Sequence, residues 1–441
     1  MITHSHSFLH DRIEPEQLIG FSSRSSGWRQ QLQALCFFFC VITCFVLIFL
    51  QAAIAFYPDR RLSDYGSFYA AGSLANLHLN PYQDHPLVNH IREFDRHGPE
   101  TPLQGTNVDA VNLNPPIVVL PFKLLARLDP MTGRLVWSCI SAIFLIASLL
   151  LIVRPSETGQ SPARLLWILA LPAIWQTFQL GQIYTVLFLA AALAWRFLRS
   201  QKFWAAGMAI GFVCAVKPNF FIWPLLLLLG RSRKAGLSAF ATAAALTGAS
   251  LLGQGPEVYR QWIEATRAYN GFELAGNASL LATFSRAGLP GVGIAVTVGM
   301  LLAAIIWALV AKPDSMRVSE AAILAALFAG PLSWAGYTML LLPFLYSRPM
   351  DTWMRAGCVL LCVPVWIAAP VATVSRVAYI LFEGPSIYGL LLLAFGVVAN
   401  SPRREVEFGE VTAAGIGTAA PPPTYGLDPT PKAQPAWDVE A

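Results

Sequence analysis

Long apolar blocks alternate with short polar segments along most of the chain, and two longer polar loops interrupt that rhythm. Leu32–Phe56 is the first uncharged run of spanning length, since about 20 apolar residues cross a bilayer core. The loop Tyr57–Asn114 follows. Near its start, Leu62–Tyr82 reads LSDYGSFYAAGSLANLHLNPY. Tyr65, Phe68, Tyr69, Leu74 and Leu77 recur there at helical spacing and predict an amphipathic helix headed by Asp64. Farther along, Leu87, Val88, Ile91 and Phe94 share one helical face, with Arg92, Glu93, Asp95 and Arg96 on the other. That is the pattern of a helix lying flat on a membrane.

Pro115–Leu128 is too short to span and predicts a re-entrant or interfacial piece. Met131–Val153 predicts a crossing. Leu165–Phe178 and Ile183–Phe197 are apolar runs parted by the polar turn Gln179-Leu-Gly-Gln182. Phe203–Leu229 is apolar but broken at Lys217-Pro218-Asn219, which predicts two short helices meeting at a buried break. Ala235–Leu252 predicts another crossing, residues 253–290 a second polar loop, and further spans lie near 291–311, 319–331, 336–347, 357–372 and 377–398. The expected architecture is an all-α polytopic membrane protein with about twelve transmembrane or re-entrant helices. Residues 1–30 read as a cytoplasmic N-terminal segment and 31–400 as the membrane domain. Residues 401–441, rich in Pro, Ala and Gly without periodicity, read as a disordered cytoplasmic tail.

Composition agrees. Hydrophobic residues make up 55% of the 441 and charged residues 12%, against about 25% charged in a soluble domain. The formal charge of +5 matters less than where the basic residues fall. More than half of the 30 Lys and Arg cluster on alternate loops that become cytoplasmic when the N-terminus is inside, in line with the positive-inside rule. Both long loops are then outside. The seven Cys sit in apolar runs and form no disulfide framework. A polar segment precedes the first span, so that span reads as a retained anchor rather than a signal peptide. No nucleic-acid partner is expected.

This topology collects Asp64, Asp84, Asn114, Gln179, Gln182, Lys217, Asn277, Arg286 and Trp334 on the outer side. Lys217 is the sharpest of these: an ionisable residue inside an apolar run costs about 2.5–3.5 kcal/mol and usually serves function. A lysine snorkelling at a helix end is the alternative. Asp64 reads either as a helix cap, with Ser63 or Asp64 accepting an orphan N–H, or as a chemical group. Gln179 and Gln182 also fit an ordinary helix-connecting turn. Asn277-Ala-Ser279 is either a glycosylation acceptor or a polar turn lining the outer cavity. The spacing of His78, His85, His90 and His97 fits helix surfaces better than a metal site.

The ordered segments DYGSFYAAG (64–72), NPY (80–82), NPPIVVLPF (114–122), QLGQ (179–182), GFVCAVKP (211–218), GNASL (276–280) and PLSW (331–334) resemble glycosyltransferase family 87. The likeness runs from about residue 30 to 400. It implies a polytopic GT-C fold and an enzyme using a polyprenyl-phosphate sugar donor, with mannose as the default sugar. The family's acidic residue in the first outer loop corresponds to Asp64 and its Lys-Pro element to Lys217-Pro218. Ala335 and Gly336 stand where the family often has an acidic residue and then His, so this chain departs from the pattern just after Ser333-Trp334.

The chemistry implied is inverting displacement, with Asp64 as general base for an acceptor hydroxyl. Lys217 and Arg286 are candidates for the donor phosphate. Tyr65, Tyr69, Asp84, Asn114, Gln179, Gln182, Asn277, Trp334 and Tyr337 are candidates for binding substrate. A monophosphate donor requires no divalent metal, and no cofactor is expected. The expected partners are the donor lipid, a glycan or glycolipid acceptor and the bilayer, with the active site facing the periplasmic or extracellular side of the plasma or inner membrane. A transporter or flippase of lipid-linked sugars is the rival from another class. It predicts an inverted repeat, and no second copy of the Asp64 or Lys217 element occurs. A membrane scaffold would leave the polar residues on one face unexplained.

Overall fold

Every secondary-structure element among the described residues is helical. The computed structural model describes residues 19–56, 62–83, 112–153, 162–269, 276–382 and 384–399. Asp84, the expected surface helix at 87–96 and the tail 401–441 lie outside these.

In chain order the helices are α1 (Ile19–Ala55), α2 (Ser63–Asn76), α3 (Pro116–Leu125), α4 (Pro130–Val153), α5 (Pro162–Leu169), α6 (Pro172–Leu180), α7 (Tyr184–Arg199) and α8 (Phe203–Val216). A 3-10 turn at Pro218–Phe221 leads into α9 (Ile222–Leu229), α10 (Arg233–Gln254), α11 (Pro256–Ala268), α12 (Leu280–Arg286), α13 (Pro290–Ala311) and α14 (Ser315–Ala329). A second 3-10 segment, Ala335–Leu341, precedes α15 (Leu342–Tyr346), α16 (Thr352–Leu361), α17 (Val365–Ala372), α18 (Arg376–Phe382) and α19 (Ser386–Ala399).

Among the described residues, α1 (over Gln30–Ala55), α4, α10 and α13 are long and apolar enough to cross a membrane. The pair α16–α17, bent by 78°, and the pair α18–α19, bent by 48°, would bring the number to six. The other apolar runs fold as shorter pieces, so the expectation of about twelve crossing or re-entrant helices resolves into four to six of spanning length and a set of short segments. Proline explains the breaks. Pro172 opens α6 in its first turn, where its missing N–H costs nothing. Pro218 pushes the residue before it out of the helical region, and Lys217 is extended at φ −137°, ψ 90°.

The interior is aromatic and tightly closed. Trp223, Tyr65, Phe122, Phe188, Phe220 and Phe344 are fully buried. Helices α8 and α10 approach backbone to backbone, because Gly207 and Gly211 face the Ala235 and Ala239 carbonyls with no room for a Cβ. Small residues four apart permit that approach in a bilayer, where packing rather than hydrophobicity drives association. The outward faces of α1 and α13 carry exposed Phe49, Leu302, Ile306 and Val310, as surfaces that meet lipid do.

Part of the second polar loop is α11. Its polar face pairs Arg260 with Glu257 and Glu264, while Val258, Trp262 and Ala265 pack against Ala71, Tyr82 and Val119. Trp262 Nε1 donates to the Leu113 carbonyl at 3.0 Å and Gln254 Nε2 to the Pro116 carbonyl at 2.9 Å. The segment entering α3 is thereby fixed in place.

Candidate functional site

Asp64 lies in the first turn of α2, whose N-cap is Leu62 and which has no side-chain cap bond. It is therefore a residue inside the helix rather than its cap. The positive end of the helix dipole favours a carboxylate there. Its Oδ2 accepts a hydrogen bond from Gln182 Nε2 at 2.5 Å.

That pairing depends on the turn after α6. Gly181, the αL residue ending α6 at φ 70°, sits directly on Tyr65, leaving no space for a Cβ. Only glycine combines the left-handed conformation with that approach at no steric cost. The turn is also held from α4, where Trp137 Nε1 donates to the Gly181 carbonyl at 2.9 Å and Arg134 Nη2 to the Gln179 carbonyl at 2.8 Å. Gln182 is thereby delivered to Asp64, and its Oε1 is buried without a hydrogen-bond partner.

Lys217 forms a second part of the site. Its Nζ donates to Asn114 Oδ1 at 2.6 Å and lies over the rings of Tyr337 and Tyr184, 5.3 and 5.9 Å from their centroids. Both contacts are within cation–π range. Asn114 is itself constrained: its N and Nδ2 donate to Asn112 Oδ1 at 3.1 Å, and its carbonyl accepts from the Tyr82 hydroxyl at 2.9 Å.

Tyr184 connects the two parts, because the Asp64 carboxylate acts electrostatically on it while the Lys217 ammonium lies 5.9 Å from its ring centroid. Its hydroxyl end and that of Tyr269 both sense Asp64. Burial first, and the Asp64 charge second, push the Tyr269 phenol above its ordinary range. Tyr184, Tyr269 and Asn112 are site residues that carry no distinguishing sequence signal: Tyr184 heads an apolar run, and Tyr269 and Asn112 sit in polar stretches. Tyr184 also occupies the space above Gly336, where any Cβ would overlap its ring. An aromatic ring from α7 thus fills the place that a side chain at position 336 would take.

The other expected residues have different surroundings. Tyr65 and Tyr69 are buried, Tyr65 packing edge-on to Phe122 and Tyr69 donating to the Leu128 carbonyl at 2.8 Å. Asn277 is fully buried. It donates to the Pro331 carbonyl at 2.9 Å and accepts from the Ser333 N–H at 2.8 Å, pinning the 276–280 turn to the 331–334 segment. Such burial closes it to a glycan in the folded chain. Arg286 Nη1 donates to the Asn277 carbonyl at 3.0 Å and Nη2 to Thr283 Oγ1 at 3.3 Å, so it braces the same turn. Trp334 is half-buried beside Gly276 and leads through one turn to Tyr337. Gln179 is half-buried, its carbonyl taken by Arg134.

The assembled site has a carboxylate at a helix N-terminus, a held amide, a lysine at a broken helix and aromatic walls. It combines a carboxylate able to accept a proton with an ammonium able to pair with an anion. The model of glycosyltransferase family 87 matches residues 112–343, more than half of the chain. The matched part contains Asn114, Lys217, Tyr184 and Tyr337, and begins downstream of Asp64. No curated protein and no solved structure matches the chain.

Proposed function

The chain belongs to glycosyltransferase family 87, a membrane glycosyltransferase, and from that premise we propose that it transfers a sugar from a polyprenyl-phosphate donor to a glycan or glycolipid hydroxyl on the outer face, with inversion. Asp64 accepts the acceptor's proton as that oxygen attacks the anomeric carbon. The bond from that carbon to the phosphate oxygen breaks, and the lipid phosphate leaves beside Lys217, whose charge balances the charge that develops. Gln182 holds the carboxylate in place and Asn114 holds the ammonium. Mannose is the default sugar. One observation supports this reading: the Lys217 ammonium lies 5.9 Å from the Tyr184 ring centroid and the Asp64 charge acts on the same tyrosine, so a carboxylate and a cation share one buried aromatic neighbour.

The test supplies membranes containing the full-length chain with polyprenyl-phosphate sugars bearing a labelled sugar. Label appearing in a glycan or glycolipid, dependent on the chain, supports the reading. Label that crosses the bilayer but stays on its lipid would point instead to a flippase.

A further inference from the structure

The lysine part of the site continues into a chain of amides whose polarity is fixed atom by atom. The Asn114 backbone N–H can only donate, so the Asn112 atom that it meets at 3.1 Å is the amide oxygen. Hydrogen-bond partners of this kind decide which end of an amide is which. The same oxygen accepts from Asn114 Nδ2 at 3.1 Å. An ammonium also only donates, so the Asn114 atom bonded to Lys217 Nζ is its oxygen. The hydrogen bonds therefore run head to tail, from Lys217 to Asn114 and from Asn114 to Asn112.

The chain ends on Asn112 Nδ2, which is a donor. Asn112 is only 5% exposed, and among the described residues that nitrogen has no acceptor. Buried donors are rarely left unpaired, because the loss of water is then uncompensated. Hydrogen bonds in series polarise one another, so the Lys217 charge strengthens the donor at the far end. The segment bearing it is also held. Trp262 Nε1 donates to the Leu113 carbonyl at 3.0 Å, and the Tyr82 hydroxyl donates to the Asn114 carbonyl at 2.9 Å.

We propose that Asn112 is a further substrate-binding residue, its Nδ2 donating to an oxygen of the sugar donor's head group, on the phosphate or on the sugar. This rests on the polyprenyl-phosphate reading above, which puts the phosphate at Lys217. The head group completes the chain of hydrogen bonds that begins at the ammonium, so cation and amide act on one ligand.

The test uses full-length protein in nanodiscs with ¹⁵N in its asparagine side chains. The ligands are a polyprenyl monophosphate and a polyprenyl-phosphate hexose with a ¹³C-labelled sugar. The Asn112 resonance is the one missing from Asn112→Asp. Its rotational-echo dephasing is expected from ³¹P if the oxygen is on the phosphate, and from sugar ¹³C if it is on the sugar. Asn112→Ala should raise the dissociation constant about 10-fold, for both ligands in the first case and for the hexose alone in the second. Asn112→Asp keeps the oxygen that holds Asn114 but cannot donate, and should bind no better than Asn112→Ala. If Asn112→Ala is not monodisperse, Asn112→Asp alone is read. Weaker binding without dephasing from either nucleus would make Asn112 a support for Asn114 and overturn the proposal. Unchanged affinity in the variants would overturn it too. Wild-type protein that binds neither ligand overturns the donor reading itself, whereas binding of both with no Asn112 dephasing overturns only this inference.

Discussion

Lys217 Nζ donates a 2.6 Å hydrogen bond to Asn114 Oδ1 across 103 positions of sequence. Asn114 is clamped by Asn112, Tyr82 and, through the adjoining Leu113, by Trp262. The ammonium is therefore held before any ligand arrives, as the proposed anion-binding role requires.

Lys217→Met should raise the donor KM and lower kcat/KM by roughly 100-fold, since a hydrogen bond to a charged group is worth about 1.5–3 kcal/mol and the charge is lost as well. Lys217→Arg should retain part of both, as the charge survives in a different shape. Asn114→Ala should fall between them. Steady-state kinetics with a labelled donor reads all three, and near-normal rates in Lys217→Met would return this residue to a snorkelling role.

The Tyr184 ring resting on Gly336 makes a second prediction. Gly336→Ala should destabilise the protein by about 1–3 kcal/mol through overpacking, and Tyr184→Ala should cost about 3–5 kcal/mol, as large-to-small changes at buried aromatics do. Because the two residues share one space, their double variant should be less destabilised than the sum, with a coupling of about 0.5–3 kcal/mol. Thermal unfolding in detergent measures this. Additive losses would mean that the ring does not occupy the place of a 336 side chain.

The sequence exposed the frame of this site better than its joints. The apolar run broken at Lys217-Pro218 and the carboxylate heading α2 are visible because a polar residue stands out against hydrocarbon. The Gln182–Asp64 bond is not, since it spans 118 positions and depends on Gly181 touching Tyr65. Tyr184 was hidden for the opposite reason: an aromatic at the start of an apolar helix looks like any core residue. Helix α11 reads as loop in the sequence because its charges dominate, although Val258, Trp262 and Ala265 recur at helical spacing. Asn277, read from its motif as lining a cavity, is fully buried and spends its amide on backbone partners, a distinction that only tertiary packing makes.

Topology offers a third prediction. With basic clusters inside, Ser200 should be cytoplasmic and Thr266, on exposed α11, should be outside. Single cysteines introduced at these two positions in a Cys-free background should react with an impermeant maleimide from opposite sides of sealed vesicles. Labelling of both from the same side would invert or break the proposed arrangement, and would move Asp64 and Lys217 away from any outer acceptor.

Asp64 bears the strictest test, because the structural and chemical roles part at a single substitution. Asp64→Asn keeps the shape and an oxygen able to accept from Gln182 Nε2, so folding and membrane insertion should be nearly unchanged. An amide cannot take the acceptor's proton, and losing a positioned base typically costs about 10²–10⁴ in rate. Gln182→Ala should give a milder loss while leaving donor affinity intact, since it takes one hydrogen bond from the carboxylate without removing the carboxylate itself. Asp64→Glu should recover little, because its carboxylate would extend beyond the position that Gln182 and the α2 N-terminus define. The measurement is transfer from a labelled polyprenyl-phosphate sugar by monodisperse protein, with donor binding measured separately. Normal binding with lost transfer in Asp64→Asn assigns the proton to this carboxylate. Transfer within a few-fold of wild type would leave Asp64 a first-turn residue that steadies α2, and would send the search for the base to Asp84.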